Sequence, residues 1–185
     1  MRRLLGAIRR KLILGITNGL LAGTRFFSLK RWLLNRLPGV ELKKNVRVVA
    51  PIRITASLKV GENTWIGHDF SVEGNGAVHI GARTSVAPYV ILFTGAHEIG
   101  DHSERAGKGC TGEIHVGNGC WICGAARLLP GAVVSDGAVL AAGAVLPGIT
   151  VPPDTLYGGV PARLIKNLEQ AEAPAAPKAD RKDSQ

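Results

Sequence analysis

From Val116 to Pro147 an aliphatic residue recurs at every sixth position: Val116, Ile122, Leu128, Val134, Leu140 and Leu146. Small residues keep the same interval at Cys120, Ala126, Ala132, Ala138 and Ala144. A helix repeats its apolar positions about every 3.6 residues and a half-buried strand every second one. Strict recurrence in sixes predicts a parallel β-helix, an all-β solenoid whose coils stack one on another. Each hexapeptide offers one aliphatic and one small side chain to an interior too narrow for two large groups. The register extends backward through Val48, Ile54, Val60, Ile66 and Val72 and, after a slip of two residues, through Ile80, Val86 and Leu92. Glycine often follows the aliphatic residue, as at Gly61, Gly67, Gly81 and Gly117, where a corner can use a backbone without Cβ restrictions. Beyond Leu92 the inward positions would be Glu98, Glu104 and Cys110. An apolar interior rejects that set, so residues 98–113 are expected to leave the coil, with His97 at the entrance.

The flanks read differently. Residues 1–45 are expected to form a basic amphipathic helical arm, 46–167 the β-helix, and 168–185 a disordered tail, rich in Ala, Pro, Lys and Asp and poor in groups large enough to bury. The chain of 185 residues carries a formal charge of +9. Residues 1–47 hold twelve Lys and Arg against Glu41 alone, so the rest is slightly acidic. Leu12, Ile13, Leu14, Ile16, Leu20, Leu21, Phe26, Phe27, Leu29, Trp32, Leu33 and Leu34 interleave with those cations, a mixture suited to an anionic membrane surface. The apolar stretch between Lys11 and Arg25 is about two-thirds the length of a spanning helix, which predicts peripheral contact through residues 1–36 on the cytoplasmic side of the cell membrane. Arg9, Arg10 and Lys11 and the lack of a small-x-small site argue against a cleaved signal. The same arm could instead pack on the β-helix, and Gly15, Gly19 and Gly23 would let two helices approach closely. No nucleic-acid-binding motif accompanies the basic residues.

The run Val116–Lys166, with its Trp121-Ile122-x-Gly124, Pro130-Gly131-x-Val133, x-Ala142-Gly143-x-Val145 and Gly159-x-Pro161-Ala162-Arg163 elements, resembles the hexapeptide-repeat acyltransferases. Within that group it is similar to the maltose and galactoside O-acetyltransferases and to acetyltransferases of bacterial polysaccharide biosynthesis, the colanic-acid type included. The resemblance implies a left-handed parallel β-helix with a helical N-terminal arm and a short C-terminal helix or tail, assembled as a homotrimer. It implies acetyl-CoA as acyl donor and no metal. By resemblance His97 is the general base: it takes the proton of an acceptor hydroxyl as that oxygen attacks the thioester directly, a step suited to imidazole. Pantetheine would pass the backbone at Gly124 and Ala142, in a groove between subunits, with Arg163 and Lys166 meeting the nucleotide phosphate. An N–H near Gly124 would serve the oxyanion. The segment Leu146–Pro152 departs from the family pattern, which leaves Pro147 and Gly148 outside this set. Glu98, Asp101, Glu104 and Glu113 are all candidates to orient the imidazole.

Acceptor groups are expected in the irregular segment 67–76. The stretch with which sugar acetyltransferases commonly bind a free sugar is missing, so the acceptor is read as a sugar hydroxyl in a polysaccharide or a lipid-linked glycan. Two alternatives stand beside this reading. His79, His97 and His115 are spaced by eighteen, and with His102 they suggest a zinc enzyme resembling the γ-class carbonic anhydrases, although the expected excursion would break that count. A non-catalytic, membrane-docked scaffold is the other. Cys120 and Cys123 share a Cys-x-x-Cys spacing, but Cys120 holds an inward position and Cys123 a corner, so they read as structural thiols.

Overall fold

The computed structural model describes residues 2–168, with side chains from residue 6 onward. Repetition in sixes becomes three parallel sheets around one apolar interior. The first face stacks Val40–Leu42, Ser57–Val60, Ala77–Ile80, Ile114–Val116, Val133–Val134 and Thr150–Val151. The second stacks Arg47–Val48, Trp65–Ile66, Ser85–Val86, Trp121–Ile122, Val139–Leu140 and Thr155–Gly158. The third stacks Ile52–Ile54, Phe70–Glu73, Ile91–Phe93, Arg127–Leu128 and Val145–Leu146. Every aliphatic position of the hexad count from Val48 to Leu146 points inward and is buried, as are the small residues between them. Each strand contributes only two to four residues, so stability comes from the stack: a residue meets its neighbours one coil above and one below.

Three irregularities set the shape. Leu128 pairs with Leu146 and Ile122 with Leu140, one regular coil apart, but Val60 pairs with Ile80. The two-residue slip of the sequence is thus absorbed at Gly74-Asn75-Gly76, on the corner between the third and first faces. Ile80 then pairs with Val116. The intervening residues leave at that same corner as an antiparallel hairpin, Gly95–Ile99 against Ala106–Thr111, three residues earlier than the sequence suggested. In the last coil Val134 pairs with Val151, one residue short of the regular spacing.

The corner glycines have a steric rather than a conformational reason. A Cβ on Gly81 would lie 2.5 Å from the backbone of Gly117, and one on Gly61 would lie 2.5 Å from the Ala82 nitrogen. Consecutive coils touch there, main chain to main chain.

Helices α1 (Arg2–Asn18) and α2 (Phe27–Leu34) cover the N-terminal end. The Asn18 side chain accepts from Ile52 N–H at 3.0 Å and donates to the Ile52 carbonyl at 2.8 Å. Asn35 does the same for Leu42, at 2.7 and 3.0 Å. Two amides thus occupy backbone groups of first-coil strands that would otherwise present an open edge. The solenoid itself starts at Val40–Leu42, earlier than residue 46, because that strand already pairs with Ser57–Val60. At the other end Arg163–Asn167 folds back antiparallel on Thr155–Gly158. These residues fall within the expected β-helix region; the expected C-terminal helix or tail, 168–185, lies outside the described residues beyond Leu168.

Lys30 is buried under this cap, its ammonium 4.9 Å from the centre of the Phe27 ring and donating to the Gly23 carbonyl at 2.6 Å. Burial holds its pKa below the ordinary lysine range. The unfolded chain therefore binds this proton more tightly than the folded one, so the lysine's contribution raises stability as pH climbs from the lowered pKa toward the ordinary value. Lys30→Met keeps the volume and removes the titration. Its urea midpoint is expected to rise less than wild type's as pH approaches the ordinary lysine value, about 10.4; parallel slopes would refute the assignment.

Candidate active site

His97 stands on the outgoing limb of the hairpin, paired in register with Gly109. Its Nδ1 lies 2.8 Å from the Gly107 carbonyl oxygen. A carbonyl can only accept, so Nδ1 carries the hydrogen and Nε2 keeps its lone pair. That is the tautomer a general base needs, with the ring oriented by a fixed partner. The expected carboxylate does not provide that bond. Asp101 is turned to Ser103, whose N–H and hydroxyl both reach Oδ1 and hold the carboxyl below its usual range. Glu113 sits 3.0 Å from His115 Nε2 on the first face. The positioning group is a backbone carbonyl, which residue type could not reveal. The two glycines of the return limb, Gly107 and Gly109, were the available hint that backbone rather than side chains faces the ring.

A cleft of about 410 Å³ opens at His97, lined by Gly74, Asn75, Gly95, Ala96, Cys110 and Thr111 among others. A larger cleft of about 620 Å³ lies between α1 and the outer side of the third face, and Asn18, Arg53, Asp69, Ser71 and Glu73 supply its polar groups. Glu73 accepts from the Ser71 hydroxyl at 2.5 Å and faces Arg53 at 3.5 Å. The irregular segment 67–76 thus lines both clefts, through Asp69–Glu73 on one side and Gly74-Asn75 on the other.

The predicted donor residues gather elsewhere. Gly124 and Ala142 occupy the corner between the second and third faces, and Gly143 N–H donates to the Gly124 carbonyl at 2.9 Å. The surface at Gly124 is open: a Cβ built there would meet only the Pro88 oxygen, at 3.6 Å. Gly159 continues the same corner by accepting from Val145 N–H at 3.0 Å. Beyond it, Arg163 and Lys166 are exposed on the final strand. Gly124, Ala142 and, opposite Gly158, Arg163 thus lie at one corner, Lys166 is carried back across the second face opposite Leu156, and His97 leaves from another edge.

The other histidines and the cysteines are resolved by the same geometry. His79 and His115 stack on the first face, ring centroids 4.9 Å apart and planes 5° apart. His97 is not in their column. The excursion was expected to destroy this stacking; instead it leaves and returns at one corner, so His115 stands directly over His79 in the next coil. Among the described residues of this chain no group of three or more His, Cys, Asp or Glu side chains is placed to hold a metal ion, and His79, His97 and His115 do not form the column of three that their spacing suggested. Cys120 is buried and Cys123 half-buried at a corner; burial pushes both thiols up.

No model of a known protein family matches the chain. It is 29% identical over 148 residues to a protein of Escherichia coli that carries the name colanic acid biosynthesis acetyltransferase WcaF, covering 78% of this chain and 79% of that one. Among solved structures, a maltose O-acetyltransferase from Clostridium difficile superposes with a TM-score of 0.74 at 27% identity, covering 90% of this chain and 89% of the other. A galactoside acetyltransferase in complex with coenzyme A superposes with a TM-score of 0.76 at 22% identity, covering 89% and 81%; at that identity the likeness speaks for the fold. Sequence and fold together make this chain a homologue of the hexapeptide-repeat acetyltransferases, and an acyltransferase.

Proposed function

We propose that the chain transfers the acetyl group of acetyl-CoA to a hydroxyl of a sugar, in a polysaccharide or a lipid-linked glycan precursor, with His97 as general base. The observation that carries this reading is the commitment of His97 Nδ1 to the Gly107 carbonyl, which makes Nε2 the basic nitrogen of the neutral ring in a residue that lines an open cleft. Nε2 takes the hydroxyl proton while the oxygen attacks the thioester carbonyl. The protonated ring then returns the proton to the departing thiolate, and no acyl-enzyme forms. Structural neighbours in complex with coenzyme A and acetyl coenzyme A support the donor, and galactoside and maltose O-acetyltransferases among the similar proteins support the acceptor class. The bare corner at Gly124 and Ala142 admits a thin pantetheine arm, and Arg163 and Lys166 offer cations for a phosphate.

Because His97 and that corner lie on different edges of one chain, a complete site needs the corner of a second copy. A closed threefold ring meets this requirement with three equivalent sites. The cytoplasm, where acetyl-CoA is available, is the proposed compartment.

The test is acceptor-dependent release of CoA from acetyl-CoA, corrected for hydrolysis, over soluble and lipid-linked saccharides. Release that requires a saccharide, with the acetyl group recovered as a sugar ester, is the expected result. Absence of release with every acceptor, from protein that binds CoA, would remove the reading.

A further inference from the structure

The cap has an outer side that the fold does not use. On α1, Ile13 and Thr17 are buried toward the solenoid. Ile8, Leu12 and Ile16 point away, 48%, 61% and 42% exposed, and Leu20, just past the helix, is 83% exposed. Steps of four residues place these side chains in one stripe along the helix. Exposed Arg9 and Lys11 border it on its two sides. Phe26, Leu29 and Trp32 are exposed on and beside α2, with Arg25 and Arg36 near them and the Arg36 guanidinium 4.1 Å over the Trp32 ring. No acidic residue occurs before Glu41. Among the described residues no helix is long and apolar enough to cross a membrane.

We infer that this face of α1 lies in the plane of an anionic lipid surface, with the Ile8–Leu12–Ile16–Leu20 stripe in the acyl boundary and the bordering cations at the headgroups. Two features select lipid over a second copy of the same face. A like-to-like contact would bring two wholly cationic arms together with no carboxylate between them. Apolar residues flanked by Arg and Lys on both sides are what an interfacial helix presents to anionic headgroups. Docking stands independently of acetyl transfer. Its consequence for catalysis does rest on that reading: Leu14 and Asn18 of the same helix line the Asp69–Glu73 cleft, so docking would hold that cleft beside the headgroup layer, where a lipid-anchored acceptor resides.

The experiment is flotation of the full chain with vesicles of phosphatidylcholine alone or mixed with phosphatidylglycerol, at low and high salt. Wild type is expected to float with the mixed vesicles, and high salt to weaken this. Ile8→Glu/Leu12→Glu/Ile16→Glu is expected to lower the bound fraction at least about tenfold, and Arg9→Gln/Lys11→Gln to lower it on anionic vesicles only. Circular dichroism and CoA release with a soluble acceptor serve as controls and should be unchanged. Equal flotation of wild type and the triple variant, or none for wild type, would overturn the inference. So would a triple variant whose mass in solution falls to a smaller assembly, because the stripe would then be a contact between copies. Each result leaves the acetyl-transfer assay free to succeed or fail separately.

Discussion

Replacing His97 with alanine is expected to lower acetyl transfer by about two to four orders of magnitude, the range over which a positioned general base contributes. The loss should fall on kcat, with acetyl-CoA binding unchanged, since the ring acts on the acceptor proton and the donor-side candidates lie elsewhere. His97→Gln should be as defective as alanine: its amide can donate to the Gly107 carbonyl in the imidazole's place, but it has no basic nitrogen for the hydroxyl. Steady-state rates with saturating acetyl-CoA, beside calorimetric titration of CoA, separate these effects. A His97→Ala enzyme within about threefold of wild type would place the base elsewhere and leave the hairpin as a binding element.

Mixing two inactive variants is expected to restore activity. Gly124→Phe fills the bare corner where pantetheine is proposed to pass, and because a Cβ there meets only the Pro88 oxygen at 3.6 Å, the coil should tolerate it. His97→Ala removes the base from a different edge. If each site joins the hairpin of one copy to the corner of the next, a co-refolded equal mixture contains junctions with both parts intact. Random assembly in a closed ring makes such junctions about one quarter of the total, and activity should recover toward that fraction. Native mass spectrometry would verify the mixed assemblies. Mixed assemblies without recovery would mean that base and donor groove belong to the same chain.

The interior of the solenoid was legible because its constraint is local and repeated. Val116 through Leu146 declare themselves by occupying a channel that takes one large and one small residue per hexad. The hairpin was legible only at the residues an apolar channel cannot accept. Glu98 marked it, whereas Gly95 did not, since Thr94 still holds a buried inward place and donates its N–H to the Glu73 carbonyl at 2.8 Å. The stacking of His79 on His115 escaped because counting treats an excursion as a loss of phase. His97 was singled out through the resemblance and its position at the break in the pattern. Its partner was not found, because the Gly107 oxygen belongs to the main chain and side-chain chemistry carries no trace of it. The cap was half legible: composition marked residues 1–36 as both basic and apolar, but which side of α1 turns inward depends on where Asn18 meets Ile52.

The hairpin's attachment has a bearing on how this architecture can change. Both of its ends sit on one corner, and the coils on either side meet as though it were absent, Ile80 against Val116. Its length is therefore uncoupled from the winding of the solenoid. Lengthening or trimming it would alter how far the histidine reaches toward an adjoining molecule while every stacked strand kept its partner. Inserting a single residue within one of the short strands would instead turn the side chains that follow it, up to the next corner, out of their channel positions. A lineage with this scaffold can thus vary the hairpin freely while the edge that presents Gly124 and Ala142 stays fixed by the coil count; on the proposed assignment, acceptor choice and donor choice are then able to diverge on separate schedules.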